Sequence, residues 1–185
     1  MENIEVELKF PLLNSEELIG KLSRLIGSGN GSELQKDTYY VPAHRNFLEK
    51  KPVSEWLRLR ESKEGFSLNY KKYHNEEGDA VSCDEFESKV ENLEAMKKLL
   101  ESLDFEEIVC VSKERKIWNY KNVEIAIDAI EGLGEFIELE AKGDFASVDE
   151  AEEHLHSVLG ELGAKVGEQD FKGYPFLLLE KRGLI

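Results

Sequence analysis

The chain has 185 residues and a net charge of −15, from 24 Lys and Arg against 39 Asp and Glu. Its charged share of 34% exceeds the usual ~25%, but 41% hydrophobic residues leave material for a packed core, so a disordered acidic tail is excluded and one domain over residues 1–185 is expected. Such acidity also argues against a nucleic-acid groove, which needs surplus Lys and Arg to displace counterions, while a local basic cluster still permits an anionic small ligand. Cys83 and Cys110 lie far apart in no metal-type spacing, which suits a reduced, cytoplasmic setting. The amino end lacks a leader pattern, and the apolar run Phe176-Leu177-Leu178-Leu179 is far short of a membrane span, so no membrane is expected.

In chain order, residues 4–10 alternate strictly, with Glu5, Glu7 and Lys9 on one face and Val6, Leu8 and Phe10 on the other, the two-residue period of a strand. Asn14 with Glu17 reads as a capping box before a helix striped by Leu18, Ile19, Leu22, Leu25 and Ile26, and glycines at 27–31 end it. Strands are predicted over 35–40, 56–61, 66–73 and 81–90, with spacers short enough for antiparallel neighbours. Asn92 caps a second helix whose stripe is Leu93, Met96, Leu100 and Leu103. The second half repeats the plan: strands over 108–120, 123–130 and 136–142, then a helix capped by Ser147 and Glu150 and striped by Ala151, Leu155, Val158, Leu159 and Leu162. About eight strands with short turns predict an α+β fold whose antiparallel sheet closes into a barrel, because closure removes exposed edges, with the three amphipathic helices packed outside.

The strands share an unusual design. Like charges recur two residues apart: Glu5 and Glu7, Arg58 and Arg60, Glu85 and Glu87, Lys113 and Arg115, Glu138 and Glu140. Such pairs repel, so their repetition asks for a bound counter-charge, although for any one strand a solvated face explains its charges as well. Adding Lys9, Lys71 and Asp128, which share the parity, sets seven carboxylates against six cations. A triphosphate carries a charge near −4, roughly, and the six cations suit its oxygens, Arg by bidentate forks and Lys as point charges. Carboxylates alone would repel it, so the acidic set implies a hard divalent ion, Mg²⁺ or Mn²⁺.

These residues resemble the CYTH superfamily of triphosphate tunnel metalloenzymes, in particular its class IV adenylyl cyclase branch. Glu5-Val6-Glu7-Leu8-Lys9 is similar to the family's ExExK signature, and Asp37-Thr38-Tyr39-Tyr40, Trp56-Leu57-Arg58-Leu59-Arg60, Asn69-Tyr70-Lys71, Glu85-Phe86-Glu87, Lys113-Glu114-Arg115, Asp128 and the stretch from Gly132 to Glu140 resemble its later segments in order. The resemblance implies that Glu5, Glu7, Glu138 and Glu140 hold the metal, that Glu85, Glu87 and Asp128 support them, and that Lys9, Arg58, Arg60, Lys71, Lys113 and Arg115 bind the triphosphate, with Lys172 as an extra cation. Lys72-Tyr73 and Gly173-Tyr174 depart from the cyclase pattern, at positions that bear on substrate. The expected activity is conversion of ATP to cyclic AMP and pyrophosphate, in which the ribose 3′ oxygen attacks the α-phosphorus; no general base is evident. The alternatives are an inorganic or thiamine triphosphatase and a non-catalytic nucleotide- or polyphosphate-binding module. A homodimer is compatible with the pattern but not diagnosed by it.

Other features carry less. The glycines at 27–31 follow a helix and lack a P-loop ending, so they read as a connector. His154 and His156, two apart on a helix, face different ways and read as surface residues. His44 and His74 fall in loops, and Trp56, Trp118, Tyr39 and Tyr40 are candidates either to stack a base or to pack.

Overall fold

A computed structural model describes residues 6–74 and 82–185. It contains eight strands and four helices: β1 (Glu7–Pro11), α1 (Ser15–Ile26), β2 (Ser32–Pro42), β3 (Glu55–Ser62), β4 (Gly65–His74), β5 (Ser82–Val90), α2 (Leu93–Ser102), β6 (Phe105–Tyr120), β7 (Val123–Ile130), β8 (Gly134–Ala141), α3 (Val148–Leu162) and α4 (Tyr174–Lys181). The α+β class and the antiparallel strands are as expected.

The chain divides into two compact units, Met1–Glu33 with Lys113–Phe171, and Leu34–Ser112 with Lys172–Ile185. The first holds the strand order β1-β8-β7-β6, with β6 entering it at Lys113, and with β1 antiparallel to β8, β8 to β7 and β7 to β6. Alternation sends Leu8, Phe10, Ile125, Ile127, Ile137 and Leu139 to one face, where α1 supplies Leu18 and Leu22 and α3 its whole predicted stripe. The second unit holds β2-β3-β4-β5, antiparallel throughout, and a smaller core of Tyr40, Phe47, Leu57, Leu59 and Leu100, against which Leu93 and Met96 of α2 pack.

Several expectations need correction. Leu25, in the last turn of α1, and Leu103, at the C-cap of α2, fall outside their stripes, 51% and 63% exposed. Asn14 occupies the N-cap position of α1 and donates to Glu17 Oε2 at 3.1 Å, but its side chain bonds no helix N–H: it accepts from Lys165 N–H at 2.8 Å and donates to Gly163 O at 3.2 Å, tying the helix start to a later loop. Asn92 and Ser147 do cap, accepting from Ala95 N–H at 2.9 Å and Glu150 N–H at 3.1 Å. α4 was not anticipated; Gly173 at φ +81 and Pro175 in the first turn start it, and Leu178 and Leu179 bury there.

Barrel closure is also not formed by the described hydrogen bonds. A closed sheet requires each end strand to find a partner on its second edge. For β1 that edge is taken by residues 165–170: Leu13 N–H donates to Lys165 O at 2.8 Å, Gly167 N–H to Pro11 O at 2.9 Å and Asp170 N–H to Lys9 O at 2.8 Å. Glycine suits position 167, where a Cβ would come within 3.3 Å of the Pro11 ring. Among the described residues no helix is long and apolar enough to cross a membrane.

Candidate functional site

In the first unit the register sets Glu7 opposite Glu140, Lys9 opposite Glu138, and Arg115 opposite Asp128. Period-two alternation therefore collects Glu7, Lys9, Lys113, Arg115, Asp128, Glu138 and Glu140 on the face turned away from the α1–α3 core. Asp128, 0% exposed, receives Arg115 through both oxygens, Nε to Oδ1 at 2.7 Å and Nη2 to Oδ2 at 2.6 Å, with Lys113 Nζ 3.8 Å away. Glu138 lies 3.3 Å from Lys9 Nζ and 3.3 Å from Arg115 Nη2. Burial alone would raise the Glu138 pKa, but Lys9, Arg115 and Lys113 outweigh it and hold the carboxyl down at about 2. Burial likewise works against the charge on Lys9, yet Glu138, Glu7 and Asp170 prevail and push its pKa above the ordinary lysine value.

The second unit is built on the same plan. Asp37, 3% exposed, receives Arg60 through Nε and Nη2, each at 2.7 Å, while Arg58 Nη1 stands 3.8 Å from the same carboxylate. Lys71 lies 2.9 Å from Glu85, which also accepts from Asn69 Nδ2 at 2.6 Å. Against the effect of burial, Lys71, Asn69 and Arg58 lower the Glu85 pKa. Glu87 accepts from Ser67 Oγ at 2.7 Å. Arg58 Nε is buried and has no hydrogen-bond partner among the described residues, a donor that lacks an acceptor.

Of the expected metal set, Glu5 lies outside the described residues. Among those described, no three Asp, Glu, His or Cys groups converge as a metal-ligating cluster. The donor chemistry nevertheless fits a hard divalent ion: Glu7, Glu138 and Glu140 offer only oxygens, and Lys9 Nζ already sits 3.4 Å from Glu7 and 3.3 Å from Glu138, so two of the three share a cation. Glu140 is held by Lys142 at 2.5 Å.

Two acidic residues escaped the sequence reading of the site. Asp37 was legible as part of a motif, yet its charge had no like neighbour two residues away to draw notice. Glu124 pairs in register with Glu140, which itself pairs with Glu7, giving a row of three carboxylates over three strands that only the ladder reveals.

The remaining candidates are placed as follows. Lys172 is held 3.1 Å from Glu180 and lies 5.1 Å from the centre of the Phe176 ring. Trp118 is core, its Nε1–H donating to Gly27 O at 3.1 Å, and Tyr40 is core as well. Tyr39 packs edge-on against Trp56 with centroids 5.5 Å apart, and burial with Asp37 nearby lifts its pKa to about 12 against the pull of Arg58 and Arg60. His154 contacts Lys121 O and the Phe145 ring, and His44 is exposed. The side chain of His74 lies outside the described residues.

Similarity to known proteins agrees with this arrangement of charged strands. A CYTH domain matches residues 3–174. The chain is 31% identical over 184 residues to a Methanocaldococcus jannaschii protein named "Putative adenylate cyclase", covering 98% of this chain and 99% of that one. A solved Pyrococcus horikoshii protein shares 32% identity and superposes with a TM-score of 0.77 over 96% of this chain and 99% of its own. A Hippeastrum protein, described as an adenylyl cyclase candidate with dominant triphosphatase activity, shares the fold at a TM-score of 0.65 and 15% identity, over 98% of this chain and 97% of its own. With a domain match over nearly its whole length and a full-length relative above 30% identity, this chain belongs to the CYTH family.

Proposed function

We propose that residues 1–185 work as one metal-dependent enzyme domain acting on triphosphates, with the charged strand faces binding the triphosphate. The observation that carries this reading is Arg58. Its buried Nε lacks an acceptor while the neighbouring Arg60 is already committed to Asp37, so Arg58 is the guanidinium of this strand with donor capacity left for an anionic oxygen. Lys9, Lys113 and Arg115 form a second cationic group, anchored by Asp128 and Glu138 and hence pre-oriented before any ligand arrives.

Glu7, Glu138 and Glu140, with Glu5, would hold Mg²⁺ or Mn²⁺, which when bound screens the triphosphate and acidifies an attacking hydroxyl or water. Lys9, Arg58, Arg60, Lys71, Lys113 and Arg115 would bind the phosphate oxygens and neutralise the charge of the departing pyrophosphate or phosphate. Asp128 acts through Arg115, fixing its planar fork, and Glu85, itself held by Asn69, positions the Lys71 ammonium.

Conversion of ATP to cyclic AMP and pyrophosphate is the first reading, supported by the full-length likeness to the Methanocaldococcus protein. Hydrolysis of a triphosphate to orthophosphate is the second, favoured by the use of Trp118 and Tyr40 in the cores and of Tyr39 against Trp56, so that the aromatic residues considered for stacking a base serve packing. The test is product analysis of the purified protein with ATP and, separately, tripolyphosphate, in Mg²⁺, Mn²⁺ or chelator. Cyclic AMP with pyrophosphate supports the first, and orthophosphate from tripolyphosphate without a cyclic product supports the second. Tight binding without turnover of either would overturn both in favour of a binding module.

A further inference from the structure

Lys9 stands among three carboxylates, of which Glu138 is shared with Arg115. Glu7 and Glu138 lie 3.4 and 3.3 Å from its ammonium, and a third carboxylate, Asp170, adds its field. Asp170 belongs to none of the motifs read from the sequence. It arrives from far along the chain on residues 165–170, and its N–H donates to the carbonyl of Lys9 itself at 2.8 Å. The two hydrogen bonds upstream, Leu13 N–H to Lys165 O and Gly167 N–H to Pro11 O, make that placement a property of the fold.

The three carboxylates differ in what else is asked of them. Glu7 and Glu138 are the residues that would hold a divalent cation, whereas Asp170 is outside that set. An ammonium and a divalent ion compete for the same carboxylate oxygens, so a cation entering at Glu7 and Glu138 must displace Lys9. A charged lysine that is largely buried cannot be released without another anion to face.

We propose that Asp170 is a positioning residue that receives the Lys9 ammonium when Glu7 and Glu138 are taken by a divalent ion, keeping Lys9 beside the site and directed at a phosphate oxygen. The proposal rests on the metal-dependent reading above. Asp170 touches neither metal nor substrate in this role. It lowers the cost of freeing the two glutamates.

The test is direct Mn²⁺ binding, by electron paramagnetic resonance of free Mn²⁺ and by calorimetry, on wild type, Asp170→Asn, Lys9→Met and the double variant. Asp170→Asn keeps the N–H that bonds Lys9 O, so the main-chain tie survives, and unchanged thermal unfolding checks this. The expected result is a loss of Mn²⁺ affinity of about five- to tenfold in Asp170→Asn, less than about twofold when the same change is made in Lys9→Met, and recovery in Asp170→Glu. Equal losses in both backgrounds would mean that Asp170 acts only as distant negative charge, and would overturn the proposal while leaving the metal reading intact. Failure of wild type to bind Mn²⁺ at all would remove the metal reading and this inference with it.

Discussion

Asp128 holds Arg115 by a bidentate fork of 2.7 and 2.6 Å while entirely shielded from solvent, and Asp37 holds Arg60 by an equivalent fork of 2.7 and 2.7 Å in the other unit. Each buried aspartate also has a second cation 3.8 Å away, Lys113 and Arg58 respectively. The cations are thus oriented at the expense of desolvated charge, and the two forks fix which guanidinium edge is committed.

Removing Asp128 leaves two cations buried without their partner. Asp128→Ala is expected to cost about 3–5 kcal/mol of unfolding free energy, read from denaturant midpoints. Glu140→Gln, at a partly exposed position, should change stability by less than about 1 kcal/mol. Equal stability losses in the two variants would contradict the anchoring role given to Asp128.

The pair Lys9–Glu138 makes stability depend on acid. The folded pKa of Glu138 is about 2 against an ordinary 4.5, so its contribution is present above pH 4.5 and is lost as the pH falls toward 2. Wild type should lose on the order of 2–3 kcal/mol across that window through this group. Glu138→Gln should be less stable at neutral pH, and its profile should be flatter between those limits; a profile parallel to wild type would rule out Glu138 as the acid-sensitive group.

Arg58→Lys keeps the charge but deletes the buried Nε. Tripolyphosphate affinity, measured by calorimetry, is expected to weaken by roughly tenfold or more, in line with a charge-assisted hydrogen bond worth about 1.5–3 kcal/mol. Thermal unfolding should shift less than affinity does, since lysine keeps the charge that faces Asp37 and Nε has no internal partner to lose. An unchanged dissociation constant would take Arg58 out of the phosphate-binding set.

Gly29 separates a packing role from a phosphate-loop role for the glycines at 27–31. It sits at φ +68, and a Cβ there would lie 2.6 Å from Ile117 O and 2.9 Å from the Trp118 ring. Gly29→Ala should therefore cost about 1–3 kcal/mol of stability. Tripolyphosphate affinity of the folded fraction should be unchanged; a selective loss of affinity would revive the phosphate-loop reading.

What the sequence determined by itself was parity. In a strand, successive side chains take opposite faces as a matter of local geometry, so Glu7 and Lys9 had to share one face and Leu8 and Phe10 the other, and the same rule placed Arg58 with Arg60, Lys113 with Arg115, and Glu138 with Glu140. Helix caps whose donors lie within one turn, at Asn92 and Ser147, were legible for the same reason. Tertiary structure decided which strands stand side by side, and with that every relation across strands: the forks on Asp37 and Asp128, the row joining Glu7, Glu140 and Glu124, the diversion of Asn14 to Lys165 and Gly163, and the run of residues 165–170 along the open edge of β1. These depend on contacts between residues far apart in the chain, whose pairing is chosen by the burial and hydrogen bonding of the whole unit, and a period read over ten residues carries no information about it.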